Sequence, residues 1–215
     1  MRFSKVFGVG LPRTGTTSLF QALNQINVPC IHFPFTLYRE GIRAPLLERY
    51  TAFVDTPIPL LYQELDAAYP GSGFILTKRP LDDWMRSMEW LLTEGRQVWA
   101  WKPEYDAYHQ KFFGACVFDS MLYREKYETF HRTVVDYFSE RDNLLVLDLA
   151  KGYGYRELCQ FLDVPLSTAP YPRGNSSREA RSLQKLASRV RRVHPALEIP
   201  IRRLDHSVNR LRSFI

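Results

Sequence analysis

The sequence predicts a single α/β domain built on a doubly wound parallel sheet, with a basic helical extension at its end. Three observations carry this. The chain has 215 residues, enough for one such domain but too few for two separate cores. Four short apolar runs recur along it without the alternation of a half-solvated strand. Each run is followed by residues at helical spacing, and strand–helix alternation gives right-handed crossovers between parallel strands.

The first strand is Val6–Gly10, and Leu19, Leu23 and Ile26 repeat at helical spacing after it. The second is Ala52–Asp55. Thr56 can cap the next helix with Pro57 in its first position, and Leu61, Leu65 and Ala68 continue it. The third, Gly73–Thr77, leads to a helix opened by Pro80, with Asp82 and Asp83 in its first turn and Trp84, Met88 and Leu91 along its apolar stripe. A long helical stretch follows, on which Tyr123, Tyr127, Phe130, Val134 and Tyr137 share one face. The fourth strand is Leu144–Leu149, and Leu158, Phe161 and Leu162 close a short helix before Pro165. Residues 99–138 hold 12 of the 30 aromatic residues, and the helical ones read as a face packed on the sheet. Trp99, Trp101 and Tyr105 fall where Gly95, Pro103 and Gly114 indicate loop, which makes them either a lid or part of a ligand pocket.

Apolar residues make up 45% and charged residues 24%, so intrinsic disorder and low-complexity classes are excluded for the chain as a whole. The net charge of +6 sits at one end. Residues 176–215 hold ten basic and three acidic side chains, whereas residues 1–175 hold 19 basic and 20 acidic ones. The domain is therefore read as 1–175 and its basic extension as 176–215. A nucleic-acid partner does not follow from a charge so placed. In the extension, Ile201, Leu204, Val208, Leu211 and Ile215 step along one helical face. That face packs on the body, pairs with a second copy in a homodimer, or meets an anionic surface. Cys30, Cys116 and Cys159 are scattered, which gives neither a disulfide framework nor a zinc site and suits a cytoplasmic setting. No transmembrane segment is expected: residues 14–38 lack Asp, Glu, Lys and Arg, but Gln21, Asn24, Gln25, Asn27, Pro29 and Pro34 would strand polar groups in lipid.

The segment Gly10-Leu-Pro-Arg-Thr-Gly-Thr-Thr17 joins the first strand to the first helix. Glycines there let backbone N–H groups converge on an anion, the helix N-terminus adds partial positive charge, and Thr14, Thr16 and Thr17 add hydroxyl donors. The spacing is close to the GxxxxGK[ST] phosphate loop, but Thr16 occupies the lysine position and the basic residue is Arg13. A kinase or NTPase needs that lysine and an acidic magnesium ligand beyond a later strand. The loop thus reads as a phosphate cradle without conventional nucleotide hydrolysis, the alternative being a Gly/Thr turn that caps an ordinary helix.

With Ser18 added, this loop resembles the 5′-phosphosulfate loop of sulfotransferases that use 3′-phosphoadenosine-5′-phosphosulfate (PAPS). A second segment, Leu76-Thr-Lys-Arg-Pro-Leu-Asp-Asp-Trp-Met-Arg-Ser87, resembles the 3′-phosphate element of the same family, an Arg at a strand end with a Ser eight residues later. The similarity continues through Phe53-Val-Asp-Thr-Pro57 to Leu158–Pro165 and covers about residues 5–175. It implies a P-loop-like sulfotransferase fold, PAPS as donor with adenosine 3′,5′-bisphosphate as product, and no metal. Arg13, Thr14, Gly15, Thr16, Thr17, Ser18, Arg79 and Ser87 are the residues it places on the donor. The cytosolic enzymes' catalytic His in a Lys-Thr-His-Leu-Pro segment has no counterpart, and Arg173-Gly174-Asn175 is a faint echo of their later phosphate loop.

Sulfuryl transfer builds negative charge on the bridging oxygen, so preorganised donors there are the largest expected catalytic contribution. Arg13 and the Thr16 and Thr17 groups are the candidates, with Arg13 donating hydrogen bonds and charge but no proton. Asp55 ends the second strand and is the first choice to take the acceptor's proton, or else it caps the following helix. His32 reaches the site from a loop or is structural. His131 reads as a core-edge residue, Glu64 as surface, and Asp148 as a shaper of the site or an anchor for the next loop. The acceptor expected from the resemblance is a small molecule, glycan or lipid, its identity left open by the sequence. The competing readings are a P-loop nucleotide kinase or NTPase, and a catalytically silent nucleotide-binding module.

Overall fold

The computed structural model describes residues 1–99 and 101–174. The basic extension expected over 176–215 lies outside the described residues, as does its reading as a dimer contact.

Five parallel strands form one sheet: β1 (Val6–Gly8), β2 (Cys30–His32), β3 (Ala52–Val54), β4 (Gly73–Lys78) and β5 (Leu144–Asp148), in the order β2-β3-β1-β4-β5. The connecting helices are α1 (Thr16–Gln25), α2 (Thr36–Glu40), α3 (Leu46–Arg49), α4 (Ile58–Ala68), α5 (Leu81–Leu92), α6 (Gly95–Val98), α7 (Pro103–Phe113), α8 (Ser120–Tyr137) and α9 (Tyr155–Leu162). The chain winds away from β1 in both directions. The switch point therefore falls at the carboxyl end of β1, where sheets of this kind bind ligands.

Alternate residues of each strand supply two cores. Val6, Val54, Ile75 and Leu147 face α1 and α9, where Leu19, Ala22, Leu23, Leu158 and Leu162 cover them. Phe7, Phe53, Phe74 and Leu76 face the opposite layer, built from α4, α5, α7 and α8. Ring contacts run across that second face, from Phe53 to Phe7 at 5.7 Å, Phe7 to Phe74 at 5.5 Å and Phe74 to Phe138 at 4.6 Å. Burying each such ring is worth roughly 1.5–3 kcal/mol, so this aromatic layer anchors the strands that carry the site. The shared face of Tyr123, Tyr127, Phe130 and Val134 on α8 is buried, as its spacing predicts.

Three expectations are corrected. Cys30–His32 is an edge strand rather than loop, paired in parallel with β3. Tyr105 lies in a helix, α7, because Pro103 opens it at its first position and Gly114 closes it at φ +85°. Thr56 does not cap α4, which starts at Ile58 after a cis Thr56–Pro57 peptide.

Candidate active site

Residues Gly10–Thr17 turn from β1 into α1, and neighbouring elements fix the turn from several sides. The Trp84 indole of α5 donates to the Pro12 carbonyl at 2.8 Å. Thr14 Oγ1 donates to the Leu11 carbonyl at 2.6 Å and so accepts from Thr77 Oγ1 of β4, also at 2.6 Å. The absence of a side chain at Gly10 makes room for this pair, since a Cβ there would lie 1.8 Å from Thr77 Oγ1. Gly15 takes the left-handed φ of +109° just before α1, and no side chain caps the helix. The helix N-terminus therefore opens toward the loop. Arg13 itself is left-handed at φ +71°, a conformation costly for a long side chain and sustained only by such surroundings.

The two arginines converge on this loop. Arg79, just past β4, donates from Nη1 to the Arg13 carbonyl at 3.2 Å. Arg13 Nε donates to Ser87 Oγ at 2.9 Å, and its guanidinium lies over the Trp90 ring at 5.5 Å. The spacing of Arg79 and Ser87 predicts that they approach each other directly. Instead the Arg13 side chain lies between them as the partner of Ser87. Trp90 belongs to no motif in the sequence, although it stands three positions after Ser87 and shares its helix face. Burial, reinforced by Arg79 and opposed by Asp55, brings Arg13 down to about 10. Neither arginine is ion-paired among the described residues.

On the other side of β1, Asp55 follows β3 with φ +76° and is 7% exposed. Its Oδ2 accepts from Thr16 Oγ1 at 2.7 Å and lies 2.9 Å from His32 Nε2, while Oδ1 accepts from the Thr56 N–H at 2.7 Å. Burial pushes this carboxyl up, but the His32, Thr16 and Thr56 bonds prevail and hold it below the ordinary carboxylate value. His32 Nε2 is also 3.4 Å from both Thr16 Oγ1 and Thr17 Oγ1. Parallel register explains the dyad: His32 of β2 is opposite Val54 of β3, one residue short of Asp55. A signal separated by 23 positions with no local pattern left His32 as one candidate among several.

The remaining candidates divide plainly. Ser18 Oγ accepts from the Gly174 N–H at 3.0 Å, so the segment after α9 is tied across α1. Thr14 is spent on holding the loop. Glu64 is exposed on α4. Asp148 Oδ1 accepts from the Ala150 N–H at 3.1 Å and anchors the turn after β5. His131 is buried on α8, its Nδ1 donating to the Tyr127 carbonyl at 2.8 Å. Trp101 packs edge-on against Tyr105 at 5.6 Å, and Tyr105 edge-on against Phe33, the residue after His32, at 5.4 Å. No group of His, Cys, Asp or Glu among the described residues is arranged to hold a metal ion, and no helix among them is long and apolar enough to cross a membrane.

The profile described as a sulfotransferase domain matches residues 5–44 and 38–180. The Aspergillus versicolor protein named Ava biosynthesis cluster protein M is 26% identical over 210 residues, covering 78% of this chain and 79% of that protein.

Proposed function

The chain belongs to the sulfotransferase domain family, and from that premise we propose that it moves a sulfuryl group from PAPS to a hydroxyl or amine of a small-molecule, glycan or lipid acceptor. One observation carries the reading. Two guanidinium groups, on Arg13 and Arg79, meet around a glycine-bracketed turn at the sheet's switch point with no carboxylate bound to either among the described residues. Burial is the main reason that Arg13 is held below its ordinary value, and the like charge of Arg79 adds to it. A polyanion would offset both, and the uncapped N-terminus of α1 adds to the attraction.

The residues fit the donor in two places. The Gly10–Thr17 turn, with Arg13, Gly15, Thr16, Thr17 and the start of α1 at Ser18, is suited to the 5′-phosphosulfate. Arg79 is suited to the 3′-phosphate, with Ser87 on α5 joining it only once Arg13, whose Nε donates to the Ser87 hydroxyl, makes way. When bound, PAPS supplies an activated sulfuryl group with a phosphate leaving group. Arg13 then stabilises charge developing on the bridging oxygen, and being an arginine it does so without giving up a proton. Asp55 holds His32 by its Nε2, beside Thr16 and Thr17, and this dyad takes the acceptor's proton. The Thr16 hydroxyl, donated to Asp55, couples the anion turn to the proton acceptor.

A thermal-shift comparison of adenosine 3′,5′-bisphosphate, ATP and GTP, each with and without magnesium, tests the donor. The bisphosphate is expected to stabilise most, with no magnesium requirement. Larger stabilisation by ATP with magnesium would instead favour a nucleotide kinase. Transfer of radiolabelled sulfate from PAPS to an acceptor panel then separates an enzyme from a silent binding module.

A further inference from the structure

Two buried side chains tie the arms of the proposed donor site to the core, and their rings are packed together. Trp84 of α5 is fully buried, and its indole N–H holds the Pro12 carbonyl of the anion turn at 2.8 Å. Tyr127 of α8 is 5% exposed, and its hydroxyl donates to the Arg79 carbonyl. The ring centres of Trp84 and Tyr127 lie 4.8 Å apart. Tyr127 also packs at 4.0 Å on the ring of His131, whose Nδ1 donates to the Tyr127 carbonyl one turn back along α8. For packing alone a phenylalanine at 127 would serve, since the ring supplies the contacts. The hydroxyl is used on a carbonyl that α5 leaves outside its ladder: the Trp84 N–H donates to the Pro80 carbonyl, one residue later, at 2.9 Å. Proline at 80 has no N–H of its own and keeps the residue before it extended. The backbone that carries the Arg79 side chain is thus held from α8, and the turn that carries Arg13 is held from α5.

We propose that Tyr127 is a positioning residue: by holding the Arg79 carbonyl it keeps the Arg79 guanidinium where a second phosphate arrives, and so sets the preference for a nucleotide with two separated phosphates over one with a single phosphate. The inference rests on the reading of Arg79 as the group that meets the 3′-phosphate. A guanidinium on a long side chain is aimed no better than its backbone, and such a constellation works only when held to within about half an ångström. Arg79 Nη1 gives one bond to the Arg13 carbonyl, which joins the two arms at the loop. With its own carbonyl held by Tyr127, Arg79 is fixed at both ends, and little freedom is left to its other donors. Releasing that carbonyl loosens the Arg79 arm alone. The anion turn keeps its own supports, the Trp84 indole on Pro12 and the Thr14–Thr77 pair.

The test is calorimetric titration of the full chain with adenosine 3′,5′-bisphosphate and with adenosine 5′-monophosphate, which lacks the 3′-phosphate. Tyr127→Phe keeps the ring on Trp84 and His131 and removes only the hydroxyl. It is expected to weaken the bisphosphate about fivefold, the effect of one hydrogen bond, and to leave the monophosphate within about twofold of the parent. A residue that merely supports the fold would weaken both nucleotides alike, so equal losses overturn the proposal, as do two unchanged affinities. Tyr127→Met, which fills the same space with a flexible apolar chain, takes its place if the phenylalanine variant fails to fold. In an Arg79→Ala background, Tyr127→Phe is expected to add nothing to the loss of bisphosphate affinity. Additive losses would show that the hydroxyl does not act through Arg79, and would overturn the positioning role. A parent protein that binds the two nucleotides equally would take the 3′-phosphate away from Arg79 and end the donor reading as well. A parent that prefers the bisphosphate, with a variant that keeps the preference, overturns the role of Tyr127 and leaves that reading standing.

Discussion

At the scale of single residues, the site separates into groups that bind and groups that react. Arg79 reaches the loop through one bond to the Arg13 carbonyl, and its remaining guanidinium donors are left for a ligand. Arg79→Ala is expected to weaken adenosine 3′,5′-bisphosphate binding by about 2–4 kcal/mol, one or two charge-assisted bonds, in isothermal calorimetry. Unchanged affinity would remove Arg79 from the donor site. Asp55→Asn should behave in the opposite way. It keeps the side chain's shape, but one Asp55 oxygen acceptor becomes an amide donor facing Thr16, His32 or the Thr56 N–H. Sulfuryl transfer is expected to fall at least a hundredfold, within the contribution of a general base, while bisphosphate affinity stays within threefold. Equal losses in both measurements would make Asp55 a structural anchor of the loop and not part of the proton path.

At the scale of elements, the loop is a joint whose shape β4 and α5 impose. Gly10→Ala tests this, because the new methyl group would stand 1.8 Å from Thr77 Oγ1 and 2.9 Å from Thr14 Oγ1. Overpacking of this kind costs about 1–3 kcal/mol, visible as a lowered urea midpoint, with bisphosphate binding lost in the fraction that stays folded. Thr77→Ser should give no rescue, since it keeps the clashing oxygen. A Gly10→Ala protein with parental stability and binding would show that the turn is not held in this way. The same joint explains what the sequence made legible. Glycines and threonines between an apolar run and a helical period announce a strand–turn–helix, and the Arg79–Ser87 spacing marks a second one. The edge strand β2 gave no such signal, being three residues closely flanked by Pro29 and Pro34 and short of any period. Helix α7 was hidden differently: Pro103 and Gly114 are its own start and stop, and in sequence these residues look like loop. The Asp55–His32 contact depends on the register between β2 and β3, which only the assembled sheet shows.

At the scale of the whole molecule, buried histidines set how the fold answers to acid. His109 lies inside the aromatic layer, stacked on Phe113 at 5.1 Å. Its Nδ1–H donates to Tyr123 Oη at 3.0 Å, since that hydroxyl already donates to the Ala115 carbonyl. Burial, aided by Arg96, brings His109 from 6.5 down to about 4. His131 is lowered by burial as well. A histidine whose affinity for protons is weaker in the fold takes up its proton preferentially in the unfolded chain. Its contribution is therefore intact above about pH 6.5 and drains away as the pH falls toward 4. For His109 alone the loss amounts to about 3 kcal/mol, a large part of the stability of a domain this size. Asp55 acts in a lower window: its depressed carboxyl stabilises the fold above the ordinary value of 3.8 and is lost only below it. Urea midpoints measured from pH 7 to pH 4.5 should accordingly fall steeply in the parent and more gently in His109→Gln, which retains a hydrogen-bonding group toward Tyr123. Parallel profiles would place the acid sensitivity elsewhere and show that His109 titrates as it would in water.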